Sequence, residues 1–212
     1  MKLPFTFEQF ISVFADYNVS IYPMQLFLNF LALYIIIFLF VKTKLSNQVI
    51  LFVLGFLWLW TGIVYHILFF SSINKAAYLF GTLFIVQGVL FIFNGFIKKK
   101  LVFHFEKNQY GIIGLLLIVY AMLIYPLLGH YQGHIYPNNP TFGAPCPVTI
   151  FTFGILLLNI KKTPVYLIMI PLLWGFMGLS AAVNLKIYED FGLLFAAVFG
   201  TTFIILRNRT KK

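Results

Sequence analysis

The sequence predicts an all-α membrane protein with seven transmembrane helices, its N-terminus outside and its C-terminus cytoplasmic. Three observations carry this reading. Only 9% of the 212 residues are charged and 61% are hydrophobic, whereas a soluble domain carries about 25% charged residues to face water. Mean hydropathy is +0.95, so the bilayer is the solvent that suits the chain. Apolar runs recur at about 21–41, 48–70, 76–97, 110–128, 147–160, 164–185 and 190–206, with short connections between them. The basic residues then alternate in step with those runs. Lys42, Lys44, Lys98, Lys99, Lys100, Lys107, Lys161, Lys162, Arg207, Arg209, Lys211 and Lys212 fall on one side, and only Lys2, Lys75 and Lys186 on the other. Lys- and Arg-rich connections stay cytoplasmic, which sets the orientation. An even number of spans would destroy the alternation. Glu8, Asp16, Glu189 and Asp190 lie on the Lys-poor side, with Glu106 the exception.

Taken in order, residues 1–20 read as an interfacial amphipathic helix. In TFEQFISVFADY, Thr6 and Gln9 make a capping box, and Phe7, Phe10, Ile11 and Phe14 share one helical face. Such a helix lies flat at the outer interface. Glu8 and Asp16 interrupt any cleavable apolar leader, so the first apolar run is kept as a span. Residues 21–206 form a single transmembrane domain, and the tail 207–212, RNRTKK, is basic and cytoplasmic. Pro23 and Pro147 open the first and fifth spans, a position where proline costs little. WLWTG (58–62) echoes WGFMG (174–178), and Phe80-Gly81 echoes Phe191-Gly192. These echoes fit a 3+1+3 parallel repeat around an inverted fourth span.

Two spans read as short. Residues 147–160 reach roughly 21 Å at about 1.5 Å per residue, against a core of about 30 Å. The last span, 190–206, reaches about 25 Å. Basic residues pin both inner ends, so any shortfall falls at the outer ends, near Cys146 and Glu189-Asp190. Backbone at that depth needs protein or a wet cavity around it.

Composition also removes function classes. The net charge of +10 reports topology and attraction to anionic lipid at the cytoplasmic face, not nucleic-acid binding. No Lys, Arg, Asp or Glu lies deep inside a span, which argues against ion-coupled pumping, and a span without lysine cannot hold retinal as a Schiff base. A two-domain transporter of about twelve spans does not fit in 212 residues. Mid-membrane polarity comes from Gln25, Asn29, Gln87, Ser180 and Asn184, which either bond helix to helix or line the path of a neutral solute. Gly175, Gly178 and Ser180 read as close helix packing.

Polarity gathers at the outer face. Tyr65, His66, His134, Cys146, Glu189 and Asp190 are candidates for one pocket there. GHYQGHIYPNNPTFGAPCP (129–147) contains His130 and His134 at HxxxH spacing, which on a helix suits two metal ligands. Gly129, Gly133 and Pro137 interrupt such a helix, and Tyr131 stands where a zincin has glutamate. Cys146, between two prolines, is the only cysteine and excludes an intramolecular disulfide. A metal here draws on His66, His134 and Cys146. No cofactor is readable from the residues.

WLWTGIVYHILFFSSINKAAYLFG, GHIYPNNPTFGAPCPVTIFTFG and YEDFGLL, with the opening PFTFEQF, resemble an uncharacterised family of small bacterial polytopic integral membrane proteins. The resemblance implies a multi-pass protein of the bacterial cytoplasmic (inner) membrane, of a kind sometimes labelled permease or transporter. Tyr65-His66, His134, Pro137, Cys146, Thr149 and Glu189-Asp190 fall on its motifs and His130 does not. Three functions stay open: a small permease-like carrier for an uncharged solute, a membrane-embedded metal- or thiol-dependent enzyme, and an accessory or sensory subunit. A homo-oligomer or a partner membrane subunit is compatible with each.

Overall fold

A computed structural model describes residues 4–210; Lys2, Lys211 and Lys212 of the charge pattern lie outside the described residues. Within them the chain forms eight helices: α1 (Phe7–Ile21), α2 (Met24–Phe40), α3 (Ser46–Ser72), α4 (Ala77–Lys98), α5 (Gln109–Tyr131), α6 (Pro145–Leu157), α7 (Tyr166–Asn184) and α8 (Tyr188–Thr210). Five of them, α3, α4, α5, α7 and α8, are long and apolar enough to cross a membrane. Joined across their 85° bend, α1 and α2 would make a sixth.

The capping box forms as the sequence predicts: Gln9 N–H donates to the Thr6 hydroxyl oxygen at 3.3 Å, and Thr6 N–H to Gln9 Oε1 at 2.9 Å. The buried face is rotated from the expected one. It comprises Phe10, Val13, Phe14, Tyr17, Asn18 and Ile21, while Phe7 is 39% exposed. The cause is packing: α1 meets the end of α3 through Phe14–Tyr65 and Phe10–Phe70 ring contacts, so protein rather than lipid selects its face.

Helices α3 and α4 approach through glycines seven residues apart. A Cβ built on Gly55 would lie 2.8 Å from the Gly88 carbonyl oxygen, and the reverse holds; Gly62 and Gly81 repeat the arrangement. Gly114 of α5 and Gly154 of α6 form a third such pair. Small residues let helices pack at backbone contact where lipid gives no hydrophobic drive. On α7, a Cβ at Gly175 would strike Ala197 and one at Gly178 would strike Leu193, as the packing reading expects. Ser180 instead sits beside Asn184, whose side-chain amide donates to its carbonyl at 3.0 Å.

The short helix α6 has 13 residues, all of them buried. At about 20 Å it need not match the bilayer, because neighbouring helices rather than lipid surround it. The last helix is longer than the span predicted for it. α8 runs through Thr210, so the first part of the tail is helical. Arg207 explains this: it is 5% exposed, pairs with Glu106 at 2.7 Å, donates to the Leu157 carbonyl and stacks over Tyr110 at 5.1 Å. A guanidinium with all these partners gives the helix no reason to stop at the apolar boundary.

Connections gather at two ends. At one, Phe105 N–H donates to Leu39 O, Val102 N–H to Asn159 Oδ1, Phe103 N–H to Asn47 Oδ1 and Thr163 N–H to Asn208 Oδ1. The other end holds α1, the end of α3, the 132–144 loop and the α7–α8 corner.

Candidate functional site

The loop into α6 is fastened before the site begins. The Asn18 amide nitrogen donates to the carbonyls of Pro137 and Asn139, both at 2.7 Å, and its Oδ1 accepts from the Thr141 hydroxyl at 2.7 Å. Gly143 turns the chain with φ of +109°, where a side chain would be strained. Its carbonyl accepts from the Tyr17 and Thr61 hydroxyls, each at 3.1 Å, and Trp60 Nε1–H donates to Tyr17 Oη at 2.9 Å. Cys146 then enters at the first turn of α6, held between Pro145 and Pro147.

Beside it lies a cavity of about 100 Å³. Its walls come from α1 (Phe10, Phe14), α3 (Tyr65, Phe70), α4 (Phe80) and α7 (Trp174), and Cys146 and Asp190 are among its polar groups. Phe10, Phe14, Tyr65 and Phe70 close a circuit, with successive ring centroids 5.0, 5.5, 5.9 and 6.0 Å apart. Phe80 and Trp174 make a second wall, edge to face at 5.4 Å. The α3 segment that supplies Tyr65 is a π-helical stretch, Thr61–Phe69. Such wider turns re-aim side chains and are frequent at functional sites.

Asp190 is 1% exposed. Tyr125 Oη–H donates to one of its oxygens at 2.6 Å, and the Cys146 thiol lies 3.5 Å from the other. Glu189, fully buried, contacts His134 Nδ1 at 3.1 Å, and its backbone carbonyl accepts from the Tyr120 hydroxyl at 2.9 Å. Glu189 Oε2 has no hydrogen-bond partner among the described residues.

The structure therefore divides the sequence-predicted cluster into three parts. Tyr65, Cys146 and Asp190 meet at the aromatic cavity. His134 faces a second, more open cavity with Glu8, Gln132 and Lys186, and Glu189 is buried behind it. His66 reaches neither. It is fully buried among Phe84, Trp174 and Tyr65, with ring centroids at 4.7, 4.9 and 5.3 Å, and neither ring nitrogen has a partner among the described residues. Accordingly no three His, Cys, Asp or Glu side chains converge as metal ligands among the described residues.

That burial has a measurable consequence. An unpaired buried polar group costs about 1–3 kcal/mol, so His66→Leu, close in volume, should raise thermal stability by about 1 kcal/mol after the lost ring contacts. Melting of the purified protein checks this, and a clear drop would show that the imidazole has a partner.

A family profile, described as a family of unknown function (DUF6064), matches residues 7–212. The chain belongs to DUF6064. Neither a curated protein nor a solved structure matches it. For this DUF6064 chain, the residues proposed to line a solute path are dispersed. Gln25 and Asn29 sit on α2, where Asn29 Nδ2 donates to the Gln25 carbonyl at 2.8 Å and Gln25 Nε2 to the Asn18 carbonyl. Gln87 is buried on α4 and donates to the Leu167 carbonyl at 3.1 Å. Of the five, Ser180 lines the aromatic cavity, while Asn184 is exposed. Sequence reasoning missed Asn18, Tyr125 and Trp174, which shape this site, and the Arg207–Glu106 pair at the opposite end.

Proposed function

We propose that this protein is a multi-pass protein of the cytoplasmic membrane that binds a small solute from the outside, as a small permease must. The cavity lined by Tyr65, Trp174, Cys146 and Asp190 carries this reading, because a largely apolar concavity with a few placed polar groups is the usual form of a small-molecule site. Seven crossings, α2 to α8, are supported by the two sets of end contacts, with α6 crossing inside a sheath of protein. The Lys-rich end faces the cytoplasm, which puts the cavity outside and the +10 charge near anionic lipid. A metal enzyme is less well supported, since His66, His134 and Cys146 have separate surroundings. Passage inward requires a motion, and the π-helical part of α3 and Pro171 within α7 are the places where those helices yield most readily.

Access tests both the site and the orientation. A small membrane-impermeant methanethiosulfonate applied to intact cells should modify Cys146 slowly from outside, with Tyr131→Cys, at an 84% exposed position, reacting fast in a Cys146→Ser background. Lys162→Cys in the same background should react only after permeabilisation. Modification from the cytoplasmic side alone would reverse the orientation. Complete inertness of Cys146 alongside a reactive Tyr131→Cys would remove the outer pocket.

A further inference from the structure

Asp190 is the unusual group in the cavity. A buried carboxylate normally has a cation beside it, and its neighbour Glu189 has His134. Asp190 receives hydrogen bonds from Tyr125 and Cys146, both neutral donors. Among the described residues no Lys, Arg or His lies within ion-pair distance of it. Lys186, four positions earlier, is exposed and belongs to the cavity of His134. The walls around Asp190 are aromatic side chains from four helices: Phe10 and Phe14, Tyr65 and Phe70, Phe80, and Trp174. Ring faces carry the negative part of the aromatic quadrupole and attract cations, most strongly where water is excluded.

Resting on the binding-site reading above, we propose that the cavity takes a small organic monocation of the alkylammonium class, with the rings enclosing its methyl or methylene groups and Asp190 supplying the countercharge. Competing classes fit the same walls less well. A metal cation needs several oxygen ligands at short range, and these walls are mostly carbon. An anion meets the Asp190 carboxylate as like charge. A neutral apolar solute satisfies the rings but leaves the carboxylate without a countercharge. The size is adequate: about 100 Å³ compares with on the order of 10–15 Å³ for one water on the same measure, which leaves room for several heavy atoms. This revises the uncharged solute expected from the sequence, where the lack of charges deep in the spans was the argument. Asp190 lies at the first turn of the last span, and only the folded structure places it against the aromatic walls.

The test uses the full-length protein in lipid nanodiscs and two probes of one shape, choline and its neutral isostere 3,3-dimethylbutan-1-ol, titrated by calorimetry. Choline should bind the wild type about tenfold or more tightly than the alcohol, consistent with a desolvated cation–π contribution. In Asp190→Asn the preference should vanish through loss of choline binding, with the alcohol unchanged. If Asp190→Asn fails to fold, Trp174→Leu and Phe80→Leu carry the comparison, each weakening choline more than the alcohol. Equal binding of both probes to wild type, unaffected by Asp190→Asn, would overturn the cation class and leave the pocket standing. Binding of neither probe, with Cys146 inert to the outside reagent, would overturn both. Binding of neither with Cys146 reactive would overturn the cation class alone.

Discussion

Substituting alanine for Gly88 should destabilise the folded protein by about 1–3 kcal/mol, and leucine there should prevent it from accumulating. The added methyl would lie 2.8 Å from the Gly55 carbonyl oxygen and 2.8 Å from Leu59 Cγ. The first of these is backbone and cannot swing aside. Nor can α3 and α4 separate at one contact only, because Gly62 and Gly81 meet in the same way one heptad along. A hinge opened at Gly88 would also unseat Trp58, which stacks on Phe84 at 4.3 Å and donates to the Thr152 hydroxyl of α6 at 2.8 Å. Val89, next in sequence but 53% exposed, gives the control: Val89→Ala should move the melting temperature little. The double variant Gly55→Ala/Gly88→Ala should cost less than the two singles together, since the first methyl already pushes the helices apart. If Gly88→Ala melted with the wild type, the backbone contact between α3 and α4 would be absent.

The parts of this architecture that were legible in the sequence are those a hydrocarbon surrounding would dictate. Apolar runs mark α3, α4, α5, α7 and α8 because their outward faces must suit hydrocarbon, and alternating lysines sort the connections. Burial inside the bundle leaves no such mark. The fifth run reads as short, but nothing in PVTIFTFGILLLNI says that protein encloses every residue of it up to Asn159. Arg207 reads as a tail charge because position relative to a span reports topology, whereas its partner Glu106 lies 101 residues away. At the site, Cys146, Tyr65 and Asp190 were legible as polar groups at the outer ends of spans. His66 was misread for the same reason: an outer-end position says nothing about which way a side chain turns, and the π-helical stretch turns this one into an aromatic cage. Tyr125 and Trp174 were hidden in apolar runs, although a hydroxyl or an indole N–H there always raises the question of its partner. The unequal fates of adjacent Glu189 and Asp190 were beyond sequence altogether, because a single turn of backbone aims one at His134 and the other at Tyr125.

Asn18 offers the sharpest separation between filling space and making bonds. The residue is fully buried, and its amide nitrogen is shared by two carbonyls of the 132–144 loop while its oxygen holds Thr141. Asn18→Ala takes the partner from three part-buried groups and should cost about 1–3 kcal/mol, roughly the penalty of one fully buried unsatisfied group because water can reach them in part. Asn18→Asp is nearly identical in shape and keeps the acceptor for Thr141. It nevertheless puts an oxygen against the carbonyls of Pro137 and Asn139 and buries a carboxylate with no cation, so it should be the worse of the two. A residue that merely filled space would instead tolerate Asn18→Leu, close to it in volume, nearly as well as the wild type, whereas lost bonds make that variant costly too. The loop runs directly into Cys146, so Asn18→Ala and Asn18→Asp should also quicken its modification by the impermeant thiosulfonate from the outside. Melting in nanodiscs and the rate of that reaction measure the two effects independently. Loss of stability without a faster Cys146 would mean that the loop is held by Tyr17 and Thr61 at Gly143 rather than by Asn18.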